Sequence, residues 1–301
     1  MKSNFMINSI DKVLKSSTEK QYNFSVLIPT WNNINYLKLC IEGLKKNSTT
    51  NLQLIIIINE GEDGTLKWVM EQEELNYVYS PKNIGICYAL NACRSLILSD
   101  YVVYMNDDMY PLHNWDGKLN DEIIKYGKKD FMFSSTMIEP FNTGNPCVLV
   151  KDYGRDIETF KKEEIEKDSS TFSRSDWWGS TWPPNVMHID VWDLAGGMSI
   201  EYTPGFSSDP DLSMKFYQMG VREFKGLGNS FVYHFGCKST GRVKSNKGTD
   251  TFLMKWGISS RIFTNEVIKR GKEYQEDLPS KEISLSNKIR NKIKKLRVAL
   301  K

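Results

Sequence analysis

The first hundred residues alternate between β-type and helical runs, and this alternation limits the fold more than any other feature of the sequence. Four β-type runs cover 24–28, 52–58, 77–79 and 101–105, and runs with apolar residues at helical spacing lie between them at 36–46, 65–75 and 86–98. Strands joined by helices in this way return through right-handed crossovers. The pattern therefore predicts an α/β protein whose sheet is mainly parallel and flanked by helices.

The fourth β-type run ends in the polar triplet Asn106-Asp107-Asp108. In open α/β sheets, ligands bind at the carboxyl ends of the strands. Clustered oxygen ligands at that edge suit a hard divalent cation that carries a diphosphate. Because Asn and Asp are also frequent in turns, an Asp-rich turn without chemistry is the alternative.

Composition excludes several classes of protein. The formal net charge of +3 is too small to indicate a nucleic-acid-binding protein. The five cysteines include no C-x-x-C pair, which argues against a disulfide framework or a zinc site and favours a reducing compartment. No apolar run approaches the roughly 18 residues that span a bilayer, and residues 1–22 lack the apolar core of a signal peptide. We therefore expect a cytoplasmic protein.

The end of the sequence predicts an amphipathic helix. Its apolar stripe consists of Leu285, Ile289, Ile293, Leu296 and Leu300. We expect the opposite face to carry six basic residues and no acid: Lys288, Arg290, Lys292, Lys294, Lys295 and Arg297. Such a helix suits an anionic membrane, so residues 285–301 predict peripheral association with its cytoplasmic face. Packing on its own domain or on a twin subunit of a homodimer is the alternative.

Several motifs together resemble the family 2 glycosyltransferases. The nucleotide-sugar half of that family is matched by Phe24–Asn32 (FSVLIPTWN), Asp63-Gly64-Thr65, Asn83-Ile84-Gly85 with Ala89 and Asn91, and Asn106-Asp107-Asp108. The acceptor half is matched by Gly196-Gly197 and by Ser208-Asp209-Pro210-Asp211-Leu212 with Gly220. The resemblance implies a GT-A fold, a nucleotide-diphosphate sugar donor and a divalent metal, Mn²⁺ or Mg²⁺.

The predicted architecture is therefore a Rossmann-like, mostly parallel sheet of the GT-A type, flanked by helices and followed by an amphipathic helical tail. Residues 1–22 form an N-terminal extension and residues 23–120 the nucleotide-sugar-binding half. Residues 121–262 form the acceptor-binding half of the same domain, and residues 263–301 the basic tail.

The resemblance also implies roles for single residues. Asp108 and His234 would hold the metal, and Asp209 would be the catalytic base. The donor would be bound by Pro29, Thr30, Asn32, Asn59, Glu60, Lys82, Asn83, Asn106 and Asp107. The sequence departs from the family pattern at Asn106, Asn59 and Ser208, where the family has acidic residues.

Other segments have two interpretations. Trp177, Trp178 and Trp182 are either a stacking platform for the acceptor or part of the core. Asp211 either binds the acceptor or holds the start of a helix, and the alternative role of Asp209 is that of a helix cap. The basic segment 238–244 either closes over the diphosphate or is a solvated loop.

The function predicted from these residues is metal-dependent, inverting transfer of a sugar, of the hexosyltransferase type. The donor would be a nucleotide sugar, with UDP-sugars preferred, and the acceptor a hydroxyl of a glycan or lipid-linked glycan. Such products include cell-surface polysaccharide, lipopolysaccharide and glycoprotein glycans. The alternatives are a nucleotidyltransferase of similar fold and an inactive glycan- or nucleotide-binding module.

Overall fold

The computed structural model describes residues 9–236, 242, 246–276 and 283–300, and one mixed sheet runs through this part of the chain. Its strands are β1 (Asp11–Val13), β2 (Phe24–Trp31), β3 (Leu52–Asn59), β4 (Leu75–Ser80), β5 (Tyr101–Tyr104), β6 (Met109–Pro111), β7 (Phe131–Glu139), β8 (Val148–Val150), β9 (Trp177–Trp178), β10 (Asn185–His188) and β11 (Glu223–His234).

The helices of the described residues surround this sheet. They are α1 (Ile34–Asn47), α2 (Thr65–Glu71), α3 (Gly85–Ala92), α4 (Trp115–Tyr126), α5 (Lys162–Asp168), α6 (Ile189–Ala195), α7 (Ser208–Gln218), α8 (Gly248–Trp256), α9 (Ser260–Ile262) and α10 (Leu285–Ala299). Short 3₁₀ turns lie at Cys93–Leu96, Ser169–Thr171 and Ile200–Tyr202, and a π-helical turn at Phe263–Val267.

The order of the strands confirms the predicted fold class. The main path is β1-β4-β3-β2-β5-β10-β7-β11-β6. Strands β4, β3, β2 and β5 are parallel, as the alternation of strands and helices predicts. Beyond β5 the sheet is mixed, because β10 runs antiparallel to both β5 and β7 while β11 runs parallel to β7. Strand β1, inside the predicted N-terminal extension, pairs antiparallel with β4 and so belongs to the sheet.

Strand β3 shows why the parallel part is stable. Its aliphatic residues alternate between two hydrophobic clusters on the two faces of the sheet. Ile55 and Ile57 pack in the cluster that contains α3, and Ile56 and Ile58 in the cluster that contains α1. Each fully buried aliphatic side chain contributes about 1.5–3 kcal/mol. Since both faces are covered, the strand tolerates no polar alternation, and its run of isoleucines follows from that burial.

The two sequence halves interlock where α3 meets the segment before α7. Gly85 has φ +75°, and a Cβ there would lie 2.6 Å from Thr203 Cγ2 and 3.0 Å from Pro204 Cα. Asn91 closes the same interface lower on α3, because its Nδ2 donates to the Met198 carbonyl (2.8 Å) and its Oδ1 accepts from the Met198 amide (2.7 Å). Only glycine fits at position 85 without displacing the facing backbone.

Helix α7 is fixed to α8 by a buried carboxylate. Asp211 is fully buried, accepts a hydrogen bond from Trp256 Nε1 (2.7 Å) and lies 3.0 Å from Lys255 Nζ. Asp211 therefore holds the first turn of α7, and with it the position of Asp209.

We expect Asp211→Ala to lower the free energy of unfolding by about 2–4 kcal/mol, because it leaves the Trp256 N–H and the Lys255 ammonium without their shared acceptor. Denaturant unfolding would measure the change. The matched control is Asp193→Ala, which breaks the Arg94–Asp193 ion pair whose side chains are both 44% exposed. That variant should lose less than about 1 kcal/mol. An equal loss of unfolding free energy in the two variants would show that the contacts of Asp211 stabilise the fold no more than an exposed ion pair does.

Candidate active site

A cavity of about 560 Å³ opens at the carboxyl edge of β2, β3, β5 and β7. Ten of the residues predicted from the sequence line it: Pro29, Thr30, Asn59, Asn83, Asn106, Asp107, Asp108, Trp182, Asp209 and His234. Residues from both predicted halves therefore share one cavity, and its position is the one that the topology of an α/β sheet favours.

The end of β5 supplies two adjacent buried carboxylates, Asp107 and Asp108, which are 3% and 2% exposed. Loss of water raises the pKa of Asp107, and the neighbouring charge of Asp108 raises it further. Thr30 and Asn33 lie close enough to lower this pKa in part. Their geometry falls short of a hydrogen bond, since Thr30 Oγ1, Asn33 Nδ2 and Asp107 Oδ2 are buried polar atoms without a hydrogen-bond partner. Polar groups of a ligand would satisfy such atoms.

His234, at the end of β11, lies between two acidic residues. Its Nδ1 is 2.8 Å from Glu139 Oε1 and its Nε2 is 3.5 Å from Asp108 Oδ1. If Nδ1 donates to Glu139, the lone pair of Nε2 faces the carboxylate of Asp108, and a cation or a proton between them relieves the repulsion. A carboxylate on the far nitrogen of a histidine is a common arrangement around metals. Asp108 and His234 therefore fit the two metal ligands implied by the resemblance.

The protein supplies few other ligands for a cation. Within the described residues, no group of three or more His, Cys, Asp and Glu side chains is arranged to hold a metal ion. Two protein ligands suit a hard cation that binds together with a diphosphate, because phosphate and water oxygens complete its coordination.

Asp209 lies at the start of α7 and lines the same cavity. Burial raises the pKa of its carboxyl to about 7, and no charged neighbour contributes to the shift. A carboxylate whose pKa lies near neutral pH is suited to accept a proton during a reaction. The two aspartates of this turn thus differ: Asp211 is paired inside the protein, and Asp209 faces the cavity.

Three predicted donor-binding residues lie outside the cavity lining. Glu60 accepts hydrogen bonds from Trp31 Nε1 (2.6 Å) and Asn32 Nδ2 (3.2 Å). Asn32 in turn accepts from the Glu62 amide (2.8 Å). These bonds connect the loop after β2 to the loop after β3. Asn32 and Glu60 therefore support the wall of the cavity without lining it. Lys82 is exposed.

Only one of the three tryptophans predicted to form a stacking platform lines the cavity. Trp182 lines the cavity. Trp177 and Trp178 are buried, the first with its Nε1 donating to Thr136 Oγ1 (2.8 Å) and the second against Tyr274, at a ring-centroid distance of 4.4 Å. Together with Asp211, these two residues therefore occupy packing positions, and we keep an acceptor-binding role for Trp182 alone.

The structure adds residues that the sequence did not single out. Glu139 is one, and its signal is the same as that of Asp108, a carboxylate that ends a buried strand. Trp31 also lines the cavity. The guanidinium of Arg242 lies over the Trp31 ring, 4.6 Å from its centroid, and donates to the Trp31 carbonyl (2.5 Å). Arg242 belongs to the basic segment 238–244, whose other members lie outside the described residues.

A family model matches about half of the chain. Residues 25–172 match the model of glycosyl transferase family 2. The resemblance seen in the sequence motifs is therefore confirmed over that range. A search of curated proteins found no matching relative.

Among solved structures, the chain resembles TarS of S. aureus. The fragment 1–349 of TarS covers 92% of this chain and matches over 72% of its own length, with a TM-score of 0.56 and 12% identity. The same fragment in complex with UDP covers 77% of this chain, with a TM-score of 0.54 and 12% identity, and a further TarS structure covers 92% with a TM-score of 0.53 and 12% identity. The chain spans 63% of the UDP-bound fragment and 43% of that further structure. At this identity the likeness shows the GT-A fold alone.

The raised pKa of Asp209 makes a prediction about stability. The pKa of an unfolded aspartate is about 3.9, so between about pH 4 and 7 the Asp209 carboxyl of the folded protein keeps a proton that the unfolded chain has lost. The contribution of Asp209 to stability should therefore fall as pH rises through this window, and Asp209→Asn removes that loss. We expect the variant to melt on the order of 2–4 °C above wild type at pH 8, with the difference vanishing towards pH 4.

Differential scanning calorimetry at the two pH values measures this difference. Asp211→Asn is the control, because its neighbour Lys255 keeps that carboxylate paired and no stabilisation at high pH is expected. Parallel stability curves for wild type and Asp209→Asn would mean that the Asp209 carboxyl is well solvated in the folded protein.

Proposed function

We propose that this chain, which has the GT-A fold and matches family 2 glycosyltransferases over residues 25–172, is an inverting, metal-dependent glycosyltransferase. It would transfer a sugar, of the hexosyl type, from a nucleotide diphosphate to a hydroxyl of a glycan or lipid-linked glycan. One observation carries the proposal: the cavity at the strand ends holds both a buried acidic pair with a histidine and a separate carboxyl, Asp209, with a pKa of about 7.

The donor side of the cavity is suited to a nucleoside diphosphate. Thr30 and Asn59, at the ends of β2 and β3, line the cavity beside Asn83. Thr30 Oγ1, Asn33 Nδ2 and Asp107 Oδ2 are buried there without hydrogen-bond partners, and polar groups of a bound nucleotide would satisfy such atoms. The TarS structure that contains UDP has the same fold, which supports a UDP-sugar as the first donor to test.

The diphosphate needs positive charge, and two groups would supply it. A divalent ion held by Asp108 and His234 would offset the negative charge of the diphosphate and of the leaving nucleoside diphosphate. Arg242 brings a guanidinium to the Trp31 side of the cavity, where a bidentate contact to phosphate oxygens suits its planar fork. Glu139, which also lines the cavity, would orient the ring of His234.

Asp209 would perform the proton transfer. Its carboxylate accepts the proton of the acceptor hydroxyl while the hydroxyl oxygen forms a bond to the anomeric carbon. The bond from that carbon to the phosphate oxygen breaks at the same time, and its electron pair leaves with the nucleoside diphosphate. Because attack and departure occur on opposite faces, a single displacement inverts the configuration. A raised pKa makes Asp209 a stronger base than a solvated aspartate.

We expect Asp209→Asn to lower kcat by roughly 10²–10⁴, because the amide keeps the shape of the side chain but cannot accept the proton. Wild-type kcat/KM should rise with pH and level off above about 7, since only the ionised carboxylate is active, and the residual rate of the variant should lose this dependence. Steady-state kinetics with a panel of nucleotide sugars measures both. A wild-type profile that shows no inflection near pH 7, together with an active Asp209→Asn, would assign the base to another residue.

The metal site predicts a binding defect that can be measured without turnover. Asp108→Ala should weaken Mn²⁺-dependent binding of UDP or GDP by roughly tenfold or more, and Glu139→Gln should weaken it by a smaller factor because it only releases the ring of His234. Isothermal titration with and without Mn²⁺ measures the effect. Asp209→Asn is the control and should bind like wild type. Undiminished metal-dependent binding in Asp108→Ala would remove that residue from the metal site.

A further inference from the structure

The C-terminal helix α10 is attached to the rest of the protein by a polar face. Asn291 is buried, and its Oδ1 accepts a hydrogen bond from the Ser259 amide (3.3 Å). One turn earlier, Asn287 Nδ2 donates to Glu266 Oε1 (2.6 Å). Asn287 and Val298 are half-buried on the same side. Asn287, Asn291 and Val298 are spaced by four and seven residues, which places them on one face of the helix.

The apolar stripe of α10 points away from the protein. Its five members keep large exposed fractions: Leu285 74%, Ile289 49%, Ile293 46%, Leu296 64% and Leu300 87%. A helix of a globular protein normally packs such a stripe against the core. Here the stripe lies about half a helical turn from the docking face, so the body of the described chain does not cover it.

Basic residues border the stripe on both sides, and this corrects the expectation of an all-basic face opposite to it. At 100° per residue, Lys288, Lys292 and Lys295 lie along one border, and Arg290 and Arg297 along the other. Each of these five residues is exposed. The face opposite the stripe is instead the asparagine face that docks. Within α10 there is no acidic residue.

We propose that α10 is a membrane-docking surface, with the apolar stripe inserted at the interface of an anionic bilayer and the flanking cations on the lipid headgroups. A helix of 15 residues is about 22 Å long, and none of the helices in the described chain is long and apolar enough to cross a membrane. The helix therefore lies in the plane of the surface, where apolar burial and attraction to anionic lipid act together.

Charge decides between a bilayer and a second copy of the chain. Packing two α10 stripes against each other would bring the basic borders of both helices together, ten cations with no acid on either helix. Anionic headgroups complement those borders, and a like-charged helix does not. This proposal depends on the outer face of α10 and not on the chemistry of the cavity, so it can hold or fail independently of the glycosyltransferase proposal.

Co-sedimentation with vesicles tests the surface with the full chain. Wild type should bind vesicles of phosphatidylcholine with phosphatidylglycerol, should bind pure phosphatidylcholine less, and should be released as salt is raised. The triple variant Ile289→Gln, Ile293→Gln, Leu296→Gln should lose about tenfold or more in partitioning. The matched control replaces three exposed apolar residues on other helices, Met70, Ile124 and Leu194, by Gln and should bind like wild type.

A second variant isolates the charge. Lys288→Gln, Lys292→Gln, Lys295→Gln leaves the stripe intact and should bind anionic vesicles more weakly while its binding to neutral vesicles stays unchanged. Equal partitioning of the stripe variant and its control would overturn the proposal. So would sedimentation data in which wild type is a dimer and the stripe variant a monomer, because a second copy would then cover the face.

Discussion

The buried carboxylates at the end of β5 are the constraint around which the rest of the site is organised. Asp107 and Asp108 are adjacent and nearly inaccessible to water, and a folded protein keeps such a pair only where positive charge or protons compensate it. The sheet brings His234 to this edge by pairing β11 with β6, antiparallel, so that His234 lies opposite Met109. Glu139 arrives on β7, the parallel neighbour of β11. Each group comes from a different strand, so their grouping depends on the register of the sheet.

The first turn of α7 holds two aspartates in different surroundings. Asp211 has its acceptor oxygens occupied by Trp256 and Lys255 and stabilises the fold. Asp209, two residues earlier, faces the cavity and has a raised pKa, which costs stability at neutral pH. Asp211 thus anchors the helix that keeps Asp209 in a poorly solvated position. Strained or poorly solvated groups of this kind are typical of active sites.

The sequence predicted the parallel part of the sheet because β3 and its neighbours are buried on both faces, which leaves a continuous aliphatic signal. It also predicted the residues that follow strands, such as Asn59 and Asp108, since strand ends meet at one edge. It could not separate Trp177 and Trp178 from Trp182, because all three have the same chemistry and only tertiary packing distinguishes them. Glu139 was missed for a similar reason: a single carboxylate after a strand is common, and only its contact with His234 gives it a role.

Helix α10 shows what the periodicity of apolar residues cannot predict, namely which face of a helix is buried. The spacing of leucines and isoleucines correctly predicts a stripe, but periodicity only shows which residues share a face and not which face is buried. Two asparagines decide the matter here. Buried Asn291 finds its partner in Ser259, just before α9, and half-buried Asn287 finds its partner in Glu266, in the π-helical turn. Once Asn291 and Asn287 are satisfied on the body, the helix cannot turn its stripe inward without breaking those bonds. Polar residues on an otherwise charged helix can therefore set the orientation of its hydrophobic face.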